Sequence, residues 1–201
     1  MEAAEQKLSR AAYFELEAAS ETKHEYHRGE IFDMTGASAR HNLIASNLIT
    51  LLNNALGETD CFVFPGDIKV EVEPGEHYTY PDVSVLCGEV AFAAGRDDVI
   101  ANPVVIVEVL SRSTEDYDRG SKFKAYRKLA SLRDYLLVDQ YSVSVEHFST
   151  DGGGTWHLAE YEDRSDRLTI RSVAVELSLA EVYHRIEIGD DKGRASQTDP
   201  S

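Results

Sequence analysis

Val104-Val105-Ile106-Val107-Glu108-Val109-Leu110 decides the fold. A run this apolar on both faces predicts a strand buried on both sides, as in a sheet covered by helices. Glu108 interrupts it, and an ionised carboxylate there is costly unless a cation or several donors compensate it. A second acid, Asp82, opens another apolar run, Pro81-Asp82-Val83-Ser84-Val85-Leu86. Both acids call for a partner. A hard divalent cation such as Mg²⁺ is the first candidate, because one or two carboxylates plus water and substrate phosphate suffice to hold it.

The surrounding segments alternate between helix and strand. Residues 9–19 predict a short helix, and 41–56 a longer one whose stripe Ile44, Leu48, Leu51, Leu52 and Ala55 follows helical spacing. Between them a charged turn with His24, Glu25 and His27 leads through Arg28-Gly29 to a strand at 30–34. Further strands are expected at 61–64, 68–73, 78–87 and 104–110. A helix at 118–130 and a buried strand at 135–138 follow. Residues 143–148 and 156–161 read as a hairpin around Asp151-Gly152-Gly153-Gly154, a turn rather than a phosphate loop because no helix follows it. A short strand at 168–170 precedes a last helix capped by Ser178.

At 201 residues and 42% hydrophobic, the chain predicts one α/β domain over 1–188 with a mixed sheet flanked by helices, and a polar, disordered tail over 189–201. Residues 1–7 carry no apolar signal region, and no stretch approaches the ~20 apolar residues of a membrane span, so a cytoplasmic protein without membrane contact is expected. Cys61 and Cys87 lie in apolar strand-like segments without C-x-x-C spacing and read as reduced core residues.

The net charge of −16 argues against a general nucleic-acid binder, whose affinity rests on neutralising phosphates. The charge is unevenly spread. Residues 112–133 hold seven bases against three acids, a local +4 that could face a polyanion, while the rest of the chain carries −20. At about 100° per residue, Lys122, Tyr126 and Leu129 share a helix face, and Lys124 shares the opposite side with Lys128. Lys122 is thus expected to look inward, or to snorkel at the edge of a core face. Lys124 and Lys128 read as solvent or DNA-backbone contacts. His24-Glu25-Tyr26-His27 is not the zincin H-E-x-x-H, its histidines being three apart, and no G-x-S-x-G elbow is present.

Six segments in one order carry a family likeness: Glu25-Tyr26-His27-Arg28-Gly29-Glu30-Ile31, His41, Tyr80-Pro81-Asp82-Val83, Ile106-Val107-Glu108-Val109-Leu110-Ser111, Asp118-Arg119-Gly120-Ser121-Lys122 with Tyr126, and Tyr135-Leu136-Leu137-Val138-Asp139. Over residues 13–186 the chain resembles the Uma2-like (DUF820) proteins of the PD-(D/E)xK superfamily, which implies a restriction-endonuclease-like core. The resemblance implies a DNA endonuclease in which Asp82 and Glu108 hold Mg²⁺ or Mn²⁺ at a phosphodiester and a lysine orients or activates water. That lysine is absent two residues after Glu108, where Leu110 stands, and the Uma2-like pattern moves it to Lys122. Glu30 is either a surface acid or an auxiliary metal ligand. His41 is either a core or capping histidine or a contact to water or phosphate, and Asp67 reads as a turn former or, alternatively, a contact to a cation. DNA is the implied partner, and a homodimer suits the cutting of both strands of a duplex. The alternative is a catalytically inactive nucleic-acid or protein-interaction module that retains the nuclease fold.

Overall fold

The computed structural model describes residues 7–34 and 36–188; the expected tail lies outside the described residues. Helix α1 (Arg10–Ala19) starts at Ser9, whose hydroxyl accepts from the Ala12 N–H at 3.2 Å. The segment read as a charged turn is instead strand β1 (His24–His27), joined by the two residues Arg28 and Gly29 to β2 (Glu30–Asp33). Both turn residues have positive φ, 52° and 96°, the geometry that matches a tight hairpin to strand twist. Helix α2 (Ala39–Leu56) follows, capped by the Ser38 hydroxyl.

Strands β3 (Cys61–Pro65) and β4 (Lys69–Glu73) come next. The single strand expected over 78–87 is two, β5 (His77–Thr79) and β6 (Val83–Cys87), because Pro81 lacks a ladder donor and the chain changes sheet there. A two-residue strand β7 (Val99–Ile100) precedes β8 (Val105–Leu110), the decisive run. The continuous helix expected at 118–130 is broken into α3 (Glu115–Tyr117), a π turn over Asp118–Lys122 and α4 (Phe123–Tyr126). After β9 (Asp134–Asp139) come the hairpin β10 (Val145–Ser149) and β11 (His157–Tyr161), the pair β12 (Arg167–Ile170) and β13 (Val175–Ser178), and α5 (Leu179–Val182). Ser178 occupies the cap position of α5, but its side chain makes no capping hydrogen bond.

The strands form more than the one mixed sheet expected. A six-stranded sheet runs β11-β10-β9-β8-β6-β3, with β8 parallel to β9 and antiparallel to β6; a five-stranded sheet runs β2-β1-β5-β4-β7; and β12 and β13 pair apart. One face of the large sheet packs Val83, Val105, Val107 and Leu136 against the α2 stripe of Ile44, Leu48 and Leu52. Its other face packs Ile106, Leu110, Tyr135 and Leu137 against α4 and Val70 of β4. Glu108 alternates with Ile106 and Leu110 and so belongs to this second face. Against the far side of the small sheet, Tyr13 of α1 stacks on Tyr26 and Tyr78 at 4.9 and 5.7 Å between ring centroids.

Cys61 and Cys87 are not free thiols. The β3–β6 register sets them directly opposite one another with Cα atoms 3.9 Å apart, and their sulfurs form a disulfide. Pairing across the sheet brings together cysteines separated by 26 positions.

Candidate active site

Antiparallel pairing of Val83 with Val107, continued by one residue, sets Asp82 across from Glu108. Asp82 Oδ2 accepts the Val109 N–H at 2.7 Å and lies 3.2 Å from His41 Nε2. His41 sits in the first turn of α2, so the helix start delivers an imidazole to the end of β6. Burial works against a charge on that ring, but the Asp82 hydrogen bond and charge outweigh it and raise the pKa above the ordinary histidine value.

Glu108 is 4% exposed. Its Oε1 accepts from the Tyr126 hydroxyl at 2.8 Å and pairs with Lys122 Nζ at 2.9 Å. The same ammonium lies 3.0 Å from Glu25 Oε1 and 3.6 Å from Asp118 Oδ1. Glu25 comes from β1 and is itself held by the Tyr80 N–H at 3.2 Å; the Tyr126 hydroxyl also reaches Thr79 of β5 at 3.0 Å. Two sheets and the α3–α4 segment therefore meet on one lysine. The π turn helps, because the extra residue per turn widens the backbone where Asp118 and Lys122 point inward.

With all four acids ionised, the charges in this cluster do not balance. Glu25, Asp82, Glu108 and Asp118 surround one ammonium and the His41 ring. Burial, with added repulsion from Asp118, Asp82 and Glu25, drives the Glu108 pKa well above the usual carboxylate range despite Lys122. Asp118 is raised by burial as well, against the pull of Lys122. Burial opposes the Lys122 charge, yet Glu108 and Glu25 hold its pKa well above the ordinary lysine value. Surplus negative charge pushes each of these groups toward its protonated form. A divalent cation would neutralise that surplus. The donor set suits it: among the described residues the hydrogen bonds to Asp82 and Glu108 fall on Oδ2 and Oε1, which leaves Oδ1 and Oε2 for a cation.

These residues line a cavity of about 700 Å³, walled also by Phe32, Tyr117 and Gln140. Gln140, buried, ties the end of β8 to the α2 cap: its amide donates to the Leu110 carbonyl at 2.7 Å and its Oε1 accepts from Ser38 Oγ at 2.5 Å.

Asp82, Glu108, Lys122 and His41 thus come together. Glu30 does not: it stands exposed on β2 across from His27. Lys124 is exposed, while Lys128 is engaged by Glu73. Asp67 is paired with Lys23 at the surface. Reasoning from sequence assigned no role to Glu25, Asp118 or Gln140. The i, i+4, i+8 spacing of Asp118, Lys122 and Tyr126 was a usable signal for the second of these.

Residues 10–181 match the model of the Uma2 family, described as "Putative restriction endonuclease". The uncharacterized protein slr1290 of Synechocystis sp. is 38% identical over 181 residues, spanning 88% of this chain and 92% of its own. A second Synechocystis protein, sll1609, also uncharacterized, is 37% identical over 153 residues, 76% of this chain and 86% of its own. The crystal structure of "a putative nuclease belonging to DUF820" from Anabaena variabilis superposes with a TM-score of 0.72 at 16% identity, covering 88% of this chain and 97% of the other. That likeness establishes a shared α/β fold. No helix among the described residues is long and apolar enough to cross a membrane.

Proposed function

The chain belongs to the Uma2 family, and from that membership and the site geometry we propose that it is a Mg²⁺- or Mn²⁺-dependent DNA endonuclease. The observation that carries this reading is the surplus of buried carboxylate around Lys122, with one oxygen each of Asp82 and Glu108 left for a cation. An ion held there would supply an activated water and polarise a phosphoryl oxygen. The chain's own groups have separate tasks. Lys122 stays charged and offsets Glu25 and Glu108, and its ammonium stabilises negative charge as it grows on the phosphoryl oxygens. His41 orients Asp82 through Oδ2, and Tyr126 fixes Glu108 through Oε1. A two-fold dimer would present two such sites to the two strands of a duplex.

One observation favours the second reading, a non-catalytic interaction module. The basic stretch 112–133 is largely satisfied within the chain: Arg119 by Glu115 and Glu146, Lys128 by Glu73, and Arg133 by the carbonyls of Ala130 and Leu132. Plasmid cleavage separates the two. Cleavage should require Mg²⁺ or Mn²⁺, stop in EDTA, and fall by about 10³-fold or more in Asp82→Asn and Glu108→Gln, since a metal centre supplies several kcal/mol of transition-state stabilisation. Cleavage that persists in EDTA, or in both variants, overturns the metal reading. DNA binding without cleavage under any divalent ion moves the assignment to the module.

A further inference from the structure

A second cluster of ligand-type side chains lies outside this site. His27 of β1 stands across from His77 of β5, and His77 stands across from Glu73 of β4. The β4–β5 register slips between Glu71 and Glu73, and this bulge brings Glu73 rather than Val72 opposite the histidine. One ligand atom from each of the three lies within 4.8 Å of the others. Ligands around a four-coordinate zinc ion, with bonds near 2.1 Å, sit about 3.4 Å apart, so small side-chain rotations close the set.

His77 supplies the independent observation. It is 2% exposed, and neither ring nitrogen has a hydrogen-bond partner among the described residues. Buried imidazoles are ordinarily bonded, and an orphaned one asks for an explanation. Burial, helped by His27, holds its pKa down at about 4, so the ring is neutral, the form that binds metals. His27 and Glu73 are only partly buried, which leaves a way in. Glu73 now pairs with Arg28 at 3.0 Å and with Lys128, both of them side chains more than half exposed that can swing away.

We propose that His27, His77 and Glu73 hold a zinc-class divalent ion, distinct from any ion on Asp82 and Glu108. Two imidazoles and one carboxylate select Zn²⁺, Co²⁺ or Ni²⁺ over Mg²⁺ and Ca²⁺, which take oxygen ligands. The consequence is positional. His27 follows Glu25 by two residues and His77 precedes Thr79 by two, so each lies on the same sheet face as a residue that grips the Lys122–Tyr126 cluster, about 7 Å along the strand. An ion here pins β1, β4 and β5 together beside those contacts.

The test uses the full chain, untagged and stripped with EDTA, titrated with Co²⁺ and then Zn²⁺. One Co²⁺ per chain should give the visible d–d bands of a low-coordinate nitrogen and oxygen site, which Zn²⁺ displaces and excess Mg²⁺ does not. His77→Ala and His27→Ala should each weaken Zn²⁺ binding by more than about 10²-fold, since loss of mere supporting contacts already costs 10- to 100-fold. Glu108→Gln should leave it unchanged, which keeps this test independent of the nuclease reading. Should the buried His77→Ala fail to fold, the partly exposed His27→Ala decides: Zn²⁺ should raise the Tm of the parent protein and not of this variant. Absence of stoichiometric Co²⁺ binding, or binding that survives His27→Ala and disappears in Glu108→Gln, overturns the proposal.

Discussion

The two faces of β8 bury equally well and do so by different physics. Val105, Val107 and Val109 turn toward α2 and meet Ile44, Leu48 and Leu52, an all-aliphatic contact in which none of these residues is more than 3% exposed. Ile106, Glu108 and Leu110 turn the other way, where Glu108 meets Tyr126 and Lys122. The first face stabilises by area removed from water and needs no particular orientation. On the second, each buried ion costs several kcal/mol of hydration, offset only if its bonds are short and well directed. Three acids around one ammonium, with a fourth on the His41 ring, go beyond what such offsetting needs. The surplus costs stability, and on the proposed reading a bound cation offsets that cost.

The sharpest way to break this contrast is Lys122→Met, which keeps the buried stem and removes the charge. Glu25, Glu108 and Asp118 then lose their shared ammonium, and the loss of stability should be about 4 kcal/mol, within the range for stripping one partner from a buried pair. Mn²⁺ should restore part of it, since a second cation can serve the same acids. Urea denaturation with and without Mn²⁺ measures both, and a loss below about 1 kcal/mol would show that the acids are already neutral. On the aliphatic face, Leu48→Ala should cost about 3 kcal/mol through the lost contacts and the cavity left behind. Here Mn²⁺ should restore nothing beyond what it adds to the parent. Equal rescue on both faces would mean that the ion stabilises the fold generally rather than this cluster.

The aliphatic face was legible from sequence, because the α2 stripe and the β8 run follow local periodicities. Lys122 was legible too: residues 122, 126 and 129 are buried while 124 and 128 point out, although the helix is shorter than its pattern and passes through a π turn. The rest depends on pairing between distant segments. His24-Glu25-Tyr26-His27 has weak strand propensity, and it becomes a strand because β5 and β2 hydrogen-bond to its two edges. That pairing, which no local pattern encodes, delivers Glu25 to Lys122 and His27 to His77. The Cys61–Cys87 disulfide has the same origin, a register between β3 and β6. Pro81 was in plain view as a strand breaker, and reading 78–87 as one strand ignored its missing donor.

The smallest expected effect is the most specific to the surplus charge. Burial and the neighbouring acids raise the Glu108 pKa in the folded protein, so the folded state holds this proton more tightly than the unfolded chain does. The stability this contributes is fully present below the unfolded value of about 4.3 and is lost as pH rises through the raised folded value. Asp118 acts in the same direction. Lys122, also raised, contributes stability below the unfolded lysine value of about 10.4 and loses it only at higher pH, so it adds no slope near neutrality. Glu108→Gln removes the largest source of the decline while keeping an oxygen for the Tyr126 hydroxyl. In metal-free buffer, the stability of the variant relative to the parent should therefore rise as pH climbs from about 4.3 through the raised Glu108 value, by less than the Leu48→Ala loss, with Asp118 and His41 leaving a slope common to both. The opposite trend, the parent gaining on the variant as pH rises, would mean that Lys122 holds Glu108 ionised with a lowered pKa. The cluster would then be a balanced ion pair with no deficit for a cation to fill.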